Sequence, residues 1–225
     1  MVSTSACLNW CDVSSDFLII RMCGFCTIWP IDMGFGFAKL TSFAALLVVL
    51  ACVAGLLPLA RFDSEQITIH VFPEHVTVDG LYYYRNPFPF QIVQGMSIPF
   101  PTDEHHPAPI ELRVEELWPV SQEIPFRNLM GRPRFDLPLR AHETVCLRVH
   151  YYQRALGGEA RYILTTTQPW IRPLREGEYR VIADGVTVLN SNYPLTSSSG
   201  GMAIFRRTQF MPAQDWSFSW QTDQR

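Results

Sequence analysis

From Leu40 to Ala60 the chain reads LTSFAALLVVLACVAGLLPLA, bracketed by Lys39 and Arg61 and without a charge inside. A helix needs about 20 such residues to cross roughly 30 Å of hydrocarbon. After Arg61 the pattern changes to short alternating segments separated by proline and glycine. This predicts three parts: an N-terminal segment over 1–38, a transmembrane helix over 39–60 and a β domain over 61–225.

Two other fates of the run fit less well. A cleaved leader needs small residues at its exit, but Leu57-Pro58-Leu59-Ala60 places proline there. A lipidated Cys52 in Val49-Leu50-Ala51-Cys52 would leave eight more apolar residues behind it. Flanking charge favours a cytoplasmic N-terminus by one residue, Arg21 and Lys39 against Arg61. The β domain is then expected outside the cytoplasm, on a bacterial inner membrane.

The first 38 residues hold four of the six cysteines, Cys7, Cys11, Cys23 and Cys26. Their spacing imitates a zinc site, yet Phe17 to Trp29 is too apolar for a metal knuckle. Translation from Met33 would make MGFGFAKLTSF a short basic prelude to the anchor, and no metal or cofactor is expected. Cys146 stands alone in the β domain, so no disulfide closes within it.

Net charge is −3, and Lys39 is the sole lysine. Nucleic-acid binding wants a clustered basic footprint. Arg206-Arg207 with Arg132, Arg134 and Arg140 is the nearest approach, and it reads as solvated strand edges.

Within 61–225 apolar residues alternate at period two, the signature of half-buried strands. Ile67, Ile69 and Val71 form one run. Val145, Leu147, Val149 and Tyr151 form the clearest one. Asp79-Gly80 reads as a hairpin turn before Tyr82-Tyr83-Tyr84. Gly157-Gly158 and Asp184-Gly185 read as two further hairpin turns, and Ser197 to Gly201 as a crossing between sheets. About nine strands at this spacing, with nearly all of the chain's seventeen prolines in apparent connections, predict an all-β fold. The specific expectation is an antiparallel β-sandwich, Ig-like or jelly-roll-like, preceded by the one transmembrane helix.

Candidate chemistry is sparse. Asp103-Glu104-His105-His106 gathers carboxylates and imidazoles, but between Pro101 and Pro107 it reads as a solvated loop. Glu111, Glu115, Glu116 and Glu123 imitate a paired-carboxylate site, while their alternation with Leu112, Val114 and Leu117 marks a wet strand face. Ser97, Ser191 and Cys146 lack a nearby base, so no catalytic residue is assigned. Arg85, Arg161 and Arg172 flank aromatic rings and are expected to stack on them. Asn86-Pro87 reads as a turn in which the asparagine bonds its own backbone. Consecutive Tyr82, Tyr83 and Tyr84 must place rings on both faces of a sheet. With Phe88, Phe90, Phe100, Trp118, Trp170, Trp216, Phe218 and Trp220 they fill the core or leave an aromatic patch for a partner.

Three stretches, VTVDGLYYYRNPFPF with IPFP (Val76 to Pro101), RVHYYQRALGGEARYILTTTQPWIRPL (Arg148 to Leu174) and FMPAQDWSFSW (Phe210 to Trp220), resemble an uncharacterised class of bacterial membrane-anchored or exported β-sandwich proteins. The resemblance covers less than half of the β domain and implies a non-enzymatic envelope protein. The expected function is therefore interaction or assembly with another envelope protein, on a lipid bilayer held through the 40–60 helix. The rival is an envelope hydrolase or carbohydrate-binding protein working from the Glu111 to Glu123 face or the 103–106 loop.

Overall fold

A computed structural model describes Leu46 and residues 57–129, 131–197 and 201–223. The segment 1–38, with its cysteines and Met33, and most of the expected membrane helix lie outside the described residues. Among the described residues no helix is long and apolar enough to cross a membrane. The helix expected through Ala60 does not extend over 57–60. The amides of Leu59 and Ala60 donate instead to Gln94 Oε1 at 2.8 and 3.1 Å, and Ala60 is buried.

The described chain is all-β. Its strands are β1 (Arg61–Val71), β2 (His75–Arg85), β3 (Ile92–Ser97), β4 (Ile110–Trp118), β5 (Gln122–Glu123), β6 (Arg127–Leu129) and β7 (Arg132–Leu139). There follow β8 (Thr144–Arg154), β9 (Glu159–Tyr162), a 3₁₀ helix (Thr165–Trp170), β10 (Leu174–Ala183), β11 (Val186–Ser191), β12 (Thr196–Ser197), β13 (Met202–Phe210) and β14 (Trp216–Thr222). Eight form one sheet in the order β12-β13-β10-β1-β2-β8-β4-β5, and the rest form two sheets of three, β11-β14-β9 and β3-β7-β6.

The purely antiparallel arrangement is corrected here, because β1 runs parallel to β10, with Ser64 opposite Glu176 and Val71 opposite Ala183. Parallel neighbours need a long crossover, and the chain between these two strands builds most of the other strands. The expected hairpins at Gly157-Gly158 and Asp184-Gly185 are also corrected. The strands on either side belong to different sheets: β9 pairs with β14, and β11 pairs with β14. Gly158 turns at φ 69°, and its carbonyl accepts from Trp220 N at 2.8 Å, which steers the chain away from β8. Ser197 to Gly201, expected to cross between sheets, joins neighbours within one, β12 and β13.

Period-two alternation works strand by strand. Val145, Leu147, Val149 and Tyr151 are buried on β8, and Ile67, Ile69 and Val71 on β1. One cluster of buried side chains takes members from all three sheets, with Trp216, Tyr179 and Leu164 among its best-sealed large residues. Each such side chain contributes about 1.5–3 kcal/mol by leaving water.

Asp79-Gly80 is no turn. β2 runs uninterrupted through it, and Asp79 and Gly80 pair with His150 and Val149 of β8. The glycine makes room for an aromatic ring. A methyl group at Gly80 would lie 2.5 Å from the Tyr82 hydroxyl, and one at Gly177 would lie 2.6 Å from the Tyr179 hydroxyl. Both tyrosines fold back along their strands over a glycine two residues earlier, so an alanine must displace a buried ring. Gly177→Ala is expected to destabilise the detergent-solubilised chain by about 1–3 kcal/mol in denaturant unfolding. Gly95→Ala, where nothing lies within 4 Å of the added methyl, should stay within about 0.5 kcal/mol.

Candidate functional site

The most distinctive residue of the core is a carboxylic acid. In β1 the register against β2 shifts between Phe62 and Ser64. A bulge changes which face later residues occupy, so Phe62 and Glu65 both point into the core despite their odd spacing. Glu65 is 3% exposed. Its Oε1 accepts a hydrogen bond of 2.5 Å from the Tyr179 hydroxyl, and no cation pairs with it among the described residues. Burial raises its pKa to about 7, and the Tyr179 bond offsets part of that rise. A buried carboxyl without a counter-ion stays protonated because desolvation penalises the charged form.

Tyrosines surround it. Tyr82 is Glu65's register partner on β2, and its hydroxyl lies 2.6 Å from that of Tyr162 on β9. Burial, then the nearby Glu65, pushes the Tyr82 and Tyr84 hydroxyls above their usual range. These phenols therefore remain neutral hydrogen-bonding groups at ordinary pH.

Beside this cluster lies an aromatic pocket of about 80 Å³. Phe62 stacks on Tyr84 with ring centroids 4.9 Å apart, and Trp170 tilts against both at 5.7 and 5.2 Å. Met96 and Phe135 come from the β3-β7-β6 sheet, while Phe100 meets Tyr151 edge-on at 4.8 Å. Half-buried Ile98, Ile163 and Trp170 lie toward the rim with exposed Ser97. The pocket lining contains no carboxylate, imidazole or amine. It can hold an apolar group against ring faces and offer hydroxyls for orientation.

The 103–106 loop is not simply solvated. His106 is buried, with Nδ1 2.7 Å from Asp103 Oδ1. The same oxygen accepts from the amides of His105 and His106 at 3.0 and 2.9 Å. Arg161 holds the other carboxylate oxygen at 2.8 Å. Gln153, itself buried, donates to the carbonyls of both flanking prolines, Pro101 and Pro107, at 2.7 and 2.9 Å. The His106 bond, ahead of the backbone donors, pulls the Asp103 carboxyl down to about 2. This is a self-closed turn, and its imidazole and carboxylate bond each other.

The four glutamates of the expected carboxylate face separate. Glu115 and Glu123 are cross-strand partners on β4 and β5, with Arg148 3.7 Å from Glu115. Glu116 is buried on the other face, where Gln122 Nε2 donates to it at 2.9 Å. Glu111 sits at φ 55° beside a register irregularity. Arg148 also holds Asp79 through Nε at 3.0 and 3.1 Å, so the outer sheet face carries a cation between carboxylates.

Among the described residues no group of three or more His, Cys, Asp or Glu side chains can hold a metal ion. The Ser191 hydroxyl accepts from Trp216 Nε1 at 3.1 Å. Cys146 is a buried free thiol that burial pushes upward in pKa. Among the described residues the cation–π contact found is Arg207 over Phe205 at 5.8 Å and not the stacking expected of Arg85, Arg161 and Arg172; Arg161 is drawn to Asp103. Arg206, part of the supposed basic patch, pairs with Glu178. Asn86 closes the expected turn, its Oδ1 accepting from Phe88 N at 2.9 Å. Glu65 escaped the sequence reading, although it shares the parity of Ile67, Ile69 and Val71.

With this geometry in place, comparison with known proteins gives fold alone. No family model matches the chain, and no curated protein matches it. A solved structure from Legionella pneumophila, provisionally described as a nutrient binding protein, is similar with a TM-score of 0.58 at 14% identity. The match covers 72% of this chain and 67% of that one. Yeast LTA4 hydrolase matches at a TM-score of 0.41 and 7% identity, over 72% of this chain and 29% of that enzyme. In all, 102 solved chains match, so the architecture recurs and does not specify a function. Fold and pocket together define an all-β domain with an aromatic pocket beside a buried acid.

Glu65 has a signature in solution. Between about pH 4.5 and 7 the unfolded chain has released this proton while the folded chain still holds it. Stability from this group is complete below about 4.5 and is lost as pH rises to about 7, by on the order of 3 kcal/mol. Glu65→Gln keeps an acceptor for Tyr179 and should flatten that part of the stability–pH curve. Denaturant midpoints of both forms at pH 4.5, 6 and 7.5 check this.

Proposed function

We propose that this chain is a single-pass, membrane-anchored cell-envelope protein whose β domain binds another envelope protein and performs no catalysis. The anchor lies in the apolar run that begins at Leu40, whose last residues 57–60 join the β domain, with the domain on the extracytoplasmic side of a bacterial inner membrane. The large sheet and the two small ones serve as the two layers of a sandwich-like body. The aromatic pocket takes one apolar side chain of the partner.

The observation that carries this reading is the size and chemistry of the pocket. Sites for ordinary small ligands run to about 300–1,000 Å³, several times the 80 Å³ found here. A space of that size, walled by aromatic rings, suits a single aliphatic side chain. Interfaces draw most of their affinity from a few anchors buried in such pockets. The aromatic pocket lacks the room and the convergent polar groups that nutrient binding, the description given to the Legionella neighbour, would want; a roomier polar concavity of about 520 Å³ lies elsewhere, beside His106, Glu159 and Asn192. The hydrolase or carbohydrate reading would want carboxylates gathered in a concavity, whereas Glu115 faces Arg148 and Glu116 is buried.

Met96 lines the pocket and is 7% exposed, so Met96→Trp should fill it. A photoreactive residue at Ile98 of the full chain, activated in native membranes, is expected to give a discrete adduct with one envelope protein. Met96→Trp should lower its yield at least tenfold, and Leu189→Ser, at an exposed site, should leave it intact. An adduct that survives Met96→Trp contradicts this reading, as does turnover of a glycan or ester by the purified protein.

A further inference from the structure

The registers of the eight-stranded sheet define one end at which the apolar run enters. Arg61 opens β1 there and faces Arg85 on β2, which in turn faces Thr144 on β8. Cys146 of β8 faces Trp118, so β4 ends at the same place. On the other side Leu174 opens the parallel strand β10 and faces Phe210, the end of β13. Five connections therefore cluster at this end, following β2, β4 and β13 and preceding β8 and β10. From β13 to β4 they extend over about 24 Å, five interstrand steps of about 4.8 Å.

Exposed apolar side chains concentrate in these connections and strand ends. Phe90, Leu117, Trp118, Val120, Ile171 and Met211 lie there and are 38% to 64% exposed. The opposite end of the sheet carries Ile110 and Leu156. Scattered apolar residues on a surface are ordinary, but a row along one end marks a contact. Arg85, Arg140 and Arg172 are exposed in the same connections, and their guanidinium groups form no ion pair among the described residues, although the Arg140 amide donates to the Glu143 carboxylate at 2.6 Å. The loop bearing Phe90 is firmly seated, since the buried Asn86 side chain donates to the carbonyls of Phe90 and Arg140, each at 2.7 Å.

The route of the chain names the occupant. Leu59 and Ala60, the last residues of the apolar run, are already tied to Gln94 on β3. No linker separates the run from the domain, so a bilayer holding the run would bring its surface to this end. Aromatic side chains at headgroup depth and arginines near anionic phosphates are the usual chemistry of that boundary. We propose that this end of the β domain rests on the bilayer, with Phe90, Trp118 and Ile171 among the headgroups and Arg85, Arg140 and Arg172 on anionic phosphates. The inference rests on the membrane-anchored reading above, which the test separates from it.

The full chain is reconstituted into vesicles of phosphatidylcholine with 30% phosphatidylglycerol, about the anionic share that makes a surface attract arginine. Benzoylphenylalanine replaces Phe90, Trp118 or, as control, the equally exposed Ile110. After irradiation, lipid adducts are measured by mass spectrometry on protein that floats with the vesicles. Adduct yields at 90 and 118 at least fivefold above 110, falling when phosphatidylglycerol is omitted, are expected. Floating protein with equal yields at all three positions overturns this inference and leaves the anchor standing. Protein–protein adducts at 90 and 118 in place of lipid also overturn it, in favour of a second copy of the chain on this face. Protein that stays out of the floating fraction overturns both readings.

Discussion

Strand β1 carries the constraint on which the domain depends. It lies between a parallel neighbour and an antiparallel one, and its bulge at Phe62 to Ser64 turns both Phe62 and Glu65 inward. Burial favours the neutral form of a carboxyl group at that depth, and the surrounding residues supply hydroxyls in place of cations. Gly177 admits the ring that reaches it, and Gly80 admits the ring of its cross-strand neighbour. A shift of one residue in register would expose the acid or bury Gln66 in its place. Glu65 thus works against alternative pairings as well as within the native one, at the stability cost that any buried ionisable group carries.

The aromatic pocket grows from the same arrangement. Phe62 enters it because of the bulge, and Tyr82 and Tyr84 share its face of β2 two residues apart. Tyr162 comes from one small sheet, Met96 and Phe135 from the other, and Trp170 from the 3₁₀ helix. An interior made of rings with paired hydroxyls is rigid and water-poor, which suits recognition by shape. The polar turn at 103–106 has the opposite character, since Asp103 gathers His106 Nδ1, two backbone amides and Arg161, while His106 Nε2 is buried without a partner.

Much of this was legible in the residues. The all-β class followed from period-two alternation, and the faces of β8 and of Ile67, Ile69 and Val71 were read correctly because alternation is local. The Asn86 turn followed from side-chain chemistry alone. Sheet membership was not legible: Gly157-Gly158 and Asp184-Gly185 look like hairpin turns, and only distant partners such as β14 reveal otherwise. Asp79-Gly80 misled because a glycine that accommodates a ring resembles one that turns the chain. Glu65 was hidden by its setting, since Asp63, Ser64 and Gln66 read as a polar approach to the strand. Its parity with Ile67, Ile69 and Val71 was intact, but a glutamate on a buried face goes against the usual placement of charge.

The central claim, that a neutral carboxylic acid sits within this aromatic core, is open to direct observation. Carbon-13 NMR of the chain labelled at glutamate carboxyls should show one resonance titrating near pH 7, far above the ordinary 4.5, and absent from the Glu65→Gln variant. A spectrum in which every glutamate titrates between about 3.5 and 5, the usual carboxylate range, would contradict the account.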